Sequence, residues 1–182
     1  VKSNTRKYYW TGTIVTRGGM TYEFGSKEIV KGSGYISRQC CGSTEIELGT
    51  VYAAEMGITL LSDIDRYTLE DALVTLVFHL VLADGSVEDV PMGVFEVSEA
   101  NRLAKCLELK AYDFMLRFDK SFNGFETVGT AYDFIALCCK RCKVEFANKR
   151  AEIDAMPNGG VTLSIYTEND IETCRDVLFY VA

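Results

Sequence analysis

The sequence predicts an α+β protein: a small antiparallel β-barrel over residues 1–118, followed by a mainly helical segment over residues 119–182. Three observations lead there. Apolar residues recur with a period of two from Tyr8 to about Tyr112, turn residues interrupt these runs at short intervals, and near Asp113 the period lengthens to that of a helix. Seven or so short strands joined by local turns can bury one face only by curling round or doubling over, so a barrel or sandwich is expected.

The first strands come from "YYWTGTIVT", rich in aromatic and β-branched residues and followed by Gly18-Gly19. Tyr8–Arg17 and Met20–Phe24 therefore read as a hairpin. In "AAEMGITLL", Ala54, Met56, Ile58 and Leu60 share one face while Glu55, Gly57 and Thr59 share the other, the pattern of a half-buried strand. The β-formers of "LVTLVFHLVLADGSVEDV" meet Ala83-Asp84-Gly85-Ser86, where Asp-Gly suits the two positive-φ positions of a type I′ turn. A second hairpin is the consequence. "MGVFEVSEA" and "KCLELKAY" extend the alternation, with Leu107, Leu109 and Ala111 inward.

Helix starts are sought where a threonine precedes an aspartate by three residues, since hydroxyl and carboxylate together satisfy first-turn N–H groups and face the positive end of the helix dipole. Thr68/Asp71, Thr130/Asp133 and Thr167/Asp170 fit. The first is expected to open a single turn between strands, the second "TAYDFIALCCKRCKVEF" and the third "TENDIETCRDVLFYVA". Ala131, Phe134, Ile135, Cys138 and Cys142 then form one apolar stripe, and Ile171, Cys174, Leu178 and Val181 another. Linkers are expected at 120–129 and 156–160, which puts the boundary between the two parts near 118–129.

Composition removes whole classes of function. The chain carries a net charge of −7, which gives it no electrostatic reason to bind nucleic acid. No run approaches the ~18 apolar residues of a membrane span, and "VKSNTRKYYW" lacks the apolar core of a secretory signal. Seven cysteines in irregular spacing read as reduced thiols of a cytosolic protein. The start at Val1 and the end inside an apolar-faced helix lead us to expect a piece of a longer protein.

No segment spells out an active site. Cys138, Cys139 and Cys142 contain a Cys-x-x-Cys, but a structural zinc site needs four ligands, and the single histidine is distant at 79. Small hydrophobes in a helix stripe explain them better. His79 with Cys40, Cys41 or Cys106 would make a nucleophilic pair, yet no nucleophile elbow and no helix start accompanies Cys41. Glu45 with Glu47 and Glu88 with Asp89 read as solvated strand faces, and the glycines of "GSGY" and "NGG" lack the lysine and helix of a phosphate loop. We assign no catalytic, cofactor-binding or metal-binding residue, and expect no cofactor.

The succession "KGSGYISRQCCGSTEIELGTVYAAEMGITL", "LADGSVEDVPMGVFEVSEANR", "LELKAYDFMLRFDK", "GTAYDFIALCCKRCKVE" and "YTENDIETCRDVLFYVA" resembles the N-terminal part of tail proteins encoded by prophages of Gram-positive bacteria, the baseplate-hub or tail-associated family. The likeness runs from about Lys31 to Ala182. It implies a barrel related to the tail-tube fold, commonly a homotrimer, that closes the tip of the tail tube and attaches distal machinery. A second barrel and, in some relatives, a lytic domain would lie further along the chain. On this view the partners are copies of itself and other tail proteins, with no nucleic acid and no membrane span. The resemblance also implies assembly in the bacterial cytoplasm and a final place in the virion tail. The interface residues expected are Cys41, Ser43, Thr44 and Glu45 in one loop, with Asp84 and Gly85 at a hairpin tip. The competing functions are a glycan- or cell-wall-binding module using aromatics such as Tyr8, Tyr9, Trp10 and Tyr22, and a cysteine hydrolase.

Overall fold

The structure, a computed structural model, describes residues 7–39, 49, 52–123, 127–166 and 170–182. The chain divides into two compact units, one bounded by Val1–Arg38 and Ala54–Asp113, the other by Gln39–Ala53 and Phe114–Ala182.

The first unit is one antiparallel sheet. Its strands are β1 (Lys7–Val15), β2 (Thr21–Gly25), β3 (Tyr35–Ser37), β4 (Glu55–Leu61), β5 (Leu73–Val81), β6 (Val87–Leu103) and β7 (Cys106–Tyr112), in spatial order β2-β1-β5-β6-β7-β4-β3. Period-two alternation puts Ile14, Met56, Leu60, Val74, Phe95 and Leu107 on one face, where each is at most 1% exposed. Burying side chains of this size contributes about 1.5–3 kcal/mol apiece. Leu107, Leu109 and Ala111 point inward as the alternation requires.

The sheet is not closed into a barrel. Its end strands β2 and β3 do not pair with each other among the described residues. After β2 the chain instead makes a turn, in which the Gly25 carbonyl accepts from Glu28 and Ile29, and then crosses briefly to β4. There Val30 N–H donates to Thr59 O at 2.9 Å and Leu61 N–H to Glu28 O at 2.7 Å, with Ile29 bridged to Leu60. Alternation records only which face of a strand is buried, so it reads alike for open and closed sheets.

Two further expectations are corrected at the β5–β6 connection. Only Gly85 has positive φ (87°), and Asp84 does not, so the turn is not type I′. Leu82 N–H donates to Ser86 O at 2.8 Å and Gly85 N–H to Leu82 O at 3.0 Å, which makes a three-residue loop ending in a left-handed glycine. The Asp84 carboxylate stabilises it by accepting from the Ser86 N–H (2.9 Å) and hydroxyl (2.6 Å). In place of several short strands, β6 is a single strand of 17 residues. Bulges at Met92 and Ser98 let it bend between two partners.

The second unit packs α1 (Ala131–Cys142) and α3 (Cys174–Val181) with a 3₁₀ segment (Phe114–Asp119), α2 (Arg150–Asp154) and a two-stranded sheet of β8 (Thr127–Gly129) and β9 (Leu163–Ile165). Its core holds Phe118, Phe122, Phe134, Cys138, Ile165 and Val177. Phe122 is 3% exposed, and Phe122 N–H donates to Glu172 O, so that part of the expected linker at 120–129 belongs to this core.

Of the three helix starts, one holds. Thr130 caps α1, and the Asp133 carboxylate accepts from Thr130 N–H (2.9 Å) and hydroxyl (3.0 Å) and from Arg150. At the first site the turn spans Arg66–Thr68 and is capped by Asp65, so Thr68 ends it and Asp71 takes φ 56°. At the third, Thr167 lies outside the described residues, and α3 starts at Cys174. There Thr173 and Asp176 make the capping box, the same three-residue spacing six positions on.

The Arg150 guanidinium, followed by the Thr130 N–H, holds the Asp133 carboxyl at about 2, below its ordinary 3.8. A carboxylate depressed in the fold stabilises it above the unfolded value, and that contribution is lost as pH falls from about 4 towards 2. Asp133→Ala is expected to cost about 1 kcal/mol at neutral pH. Urea melts at pH 7 and pH 2.5 check this: the gap between variant and parent shrinks at the lower pH.

Candidate functional site

The strands of the first sheet differ in length, and that difference builds a projecting arm. β2 pairs with β1 only from Thr11 to Val15, and β7 pairs with β6 only from Glu96 to Leu103. β1, β5 and β6 continue past both, so residues 7–10, 77–81 and 87–91 form a three-stranded extension tipped by the Asp84-Gly85 loop. Asp84 and Gly85 are exposed at that tip, while Cys41, Ser43, Thr44 and Glu45 lie outside the described residues.

One face of the arm is apolar. Opposed residues across an antiparallel ladder share a face, and the pairs Tyr8↔Leu80, Trp10↔Phe78 and Phe78↔Val90 continue the core side of the sheet. None of these five belongs to the sheet's core cluster among the described residues. Tyr8 is 63% and Val90 39% exposed, with Trp10, Phe78 and Leu80 half-buried. The rings hold each other, Tyr8 to Phe78 at 5.6 Å and Trp10 to Phe78 at 4.9 Å between centroids. Both edges are also open: among the described residues, neither 7–10 of β1 nor 87–95 of β6 has a second partner strand. Ser26 covers one point of the first edge, its hydroxyl accepting from Trp10 N–H at 2.7 Å, and Arg38 covers one point of the second by donating to Met92 O.

The opposite face is polar and centres on His79. Its Nδ1 lies 2.6 Å from Asp89 Oδ1, its Nε2 lies 2.7 Å from Thr11 Oγ1, and Tyr9 stacks on the ring at 4.4 Å and 13°. Both nitrogens are thus engaged with Asp89 and Thr11 and not with a described cysteine. Cys40 and Cys41, the other proposed nucleophiles, lie outside the described residues. Sequence reasoning put His79 on the face of Thr75 and Val77 but missed Asp89. The signal was available, because a hairpin centred on Asp84 sets residue 79 opposite residue 89.

Cys138, Cys139 and Cys142 point into the second core, where α3 brings Cys174 to them. Burial, then hydrogen bonding to Cys174, pushes the Cys142 thiol up to about 12. Burial also pushes Cys138 and Cys139 up, with Cys174 adding to the effect in both. These thiols are neutral and apolar in character at neutral pH. Among the described residues no group of three or more His, Cys, Asp or Glu is placed to hold a metal ion, and no helix is long and apolar enough to cross a membrane.

Among the described residues the first unit therefore presents an apolar face flanked by strand edges without a second partner strand, and on the opposite face the His79 polar cluster. Compared with known proteins, the chain matches no protein-family model, and no curated protein is significantly similar to it.

Proposed function

We propose that this protein is a structural component of a bacteriophage or prophage tail tip, a baseplate-hub subunit that assembles with its own copies into a ring. The ring, a homotrimer, closes the tail tube and holds distal tail proteins. It is built in the bacterial cytoplasm, needs no cofactor or nucleic acid, and catalyses no reaction. The observation that carries the proposal is the arm, whose apolar face and two edges have no further strand against them among the described residues.

The edges lie on opposite sides of the arm, β1 on one and β6 on the other. A copy whose β1 edge meets the β6 edge of the next makes a head-to-tail contact, the kind that closes into a ring when the rotation permits. Unpaired edges are otherwise an aggregation hazard, so a chain that keeps two of them is best explained by an assembly that covers them. The crossing of residues 28–30 onto β4 supports a curled, barrel-like wall for such a ring.

The double variant Tyr8→Asp with Val90→Asp tests the proposal, since both side chains are exposed and neither belongs to the core. Circular dichroism should be unchanged, while self-association measured by light scattering falls at least about tenfold, or about 1.4 kcal/mol. Association at the parental strength would refute assembly through the arm.

A further inference from the structure

The polar face of the arm runs into an open cleft of about 550 Å³ on β1, β2 and β5, within the roughly 300–1,000 Å³ usual for small-ligand sites. Thr11, Thr13 and Thr75 line it with hydroxyls, and Glu23 and Glu28 with carboxylates. One oxygen of Glu28 is committed to the Gly25 N–H at 2.8 Å. Opposite Thr11, Gly25 leaves the floor without a side chain.

At the arm end of this cleft stands an aromatic platform. Tyr9 is two residues from Thr11 on the same face of β1, about 7 Å along the strand. His79 supports one side of its ring, and the bonds to Asp89 and Thr11 fix the imidazole in turn. β2 stops at the Thr11–Gly25 pair, so among the described residues no strand covers Tyr9 on the side away from His79, and the residue is 40% exposed. A ring held rigidly before binding loses little entropy when a ligand packs on it.

We propose that this cleft binds a neutral saccharide, with one apolar sugar face stacked on Tyr9 and its hydroxyls donating to Glu23 and exchanging hydrogen bonds with the threonines. Among the described residues the lining contains no lysine or arginine, which disfavours anionic ligands. The donors and acceptors offered are those a polyol matches with both its O–H groups and its lone pairs. The cleft lies on the face opposite Tyr8 and Trp10.

Ligand-observed NMR on the whole chain, with the N-acetylglucosamine trimer and maltotriose as neutral probes and glucosamine as a cationic one, provides the test. At least one neutral probe should bind saturably in the millimolar range or tighter, with Tyr9→Ala and Glu23→Gln each weakening it about tenfold at unchanged melting temperature. The proposal is overturned if neither neutral probe saturates, if only glucosamine binds, or if both variants bind like the parent. The same titrations on the Tyr8→Asp, Val90→Asp variant, whose β1 edge is left free of a second copy, separate these outcomes from ring formation and so from the tail-tip proposal.

Discussion

Phe134→Ala is expected to unfold the second unit while the sheet of the first persists. Phe134 is 0% exposed and sits on the inward stripe of α1, in the cluster with Phe118, Cys138, Ile165, Cys174 and Val177. Truncating a fully buried phenylalanine costs about 3–5 kcal/mol, because the transfer energy of the ring is lost and the cavity it leaves relaxes only in part. That is a large share of the ~5–15 kcal/mol that holds a typical domain together. The two core clusters share no residue among the described ones. Urea denaturation followed at 222 nm should show the helical signal lost at much lower denaturant, with the sheet transition unmoved. A single transition displaced by less than about 1 kcal/mol would show that Phe134 is not the centre of that core.

The second large effect is expected at Gly12 in β1. Phe24 lies against the bare α-carbon: a β-carbon added there would stand 2.3 Å from Phe24 Cζ and 2.7 Å from the Thr75 carbonyl oxygen. The ring is itself buried at 8% exposure, and the carbonyl belongs to β5, the strand paired with β1. Neither can retreat without disturbing the ladder or the core. Gly12→Ala is therefore expected to destabilise the first unit by about 1–3 kcal/mol, the usual range for overpacking, or more if the β1–β5 ladder itself opens. For a unit of this size that lowers the melting temperature by several degrees per kcal/mol. Gly34→Ala is the control, because nothing lies within 4 Å of the added carbon and its φ is not positive. Equal melting temperatures for the two variants would contradict the packing described for Phe24.

Both effects lie where local pattern and tertiary structure meet, and they show how far the sequence could be read. Period two located β1, β2, β4, β5 and β7 and the inward set Leu107, Leu109 and Ala111, because which face is buried is a local property, but it missed the three-residue strands β3, β8 and β9. The α1 start was legible because Thr130 and Asp133 satisfy each other's backbone within four residues. The same spacing misled at Thr68, where Asp65 caps the turn and Thr68 closes it: hydroxyl and carboxylate three apart occur at the end of a turn as well as at the start. It was overlooked at Thr173 and Asp176, so α3 begins later than expected.

Pairings distant in sequence were less accessible. Whether the ends of the sheet meet depends on where the chain goes after β2, and residues 28–30 cross to β4, a contact some thirty residues away that carries no sequence period. The approach of Cys174 to the α1 thiols is of the same kind. The arm needed strand lengths as well as strand positions. Its apolar residues looked like ordinary core, and only the early end of β2 and the late start of β7 pairing leave Tyr8 and Val90 exposed. His79 fell between the two cases, since its face was readable while its partner Asp89 required the register of the hairpin.

As proposed, this chain works by docking to its own copies. Sedimentation equilibrium across roughly 1–100 μM tests it most directly, because association by exposed edges and an apolar face responds to concentration by mass action. A rise from the mass of one chain to a closed threefold multiple, reversed by the Tyr8→Asp, Val90→Asp variant, is the result expected. A single-chain mass at every concentration would contradict it.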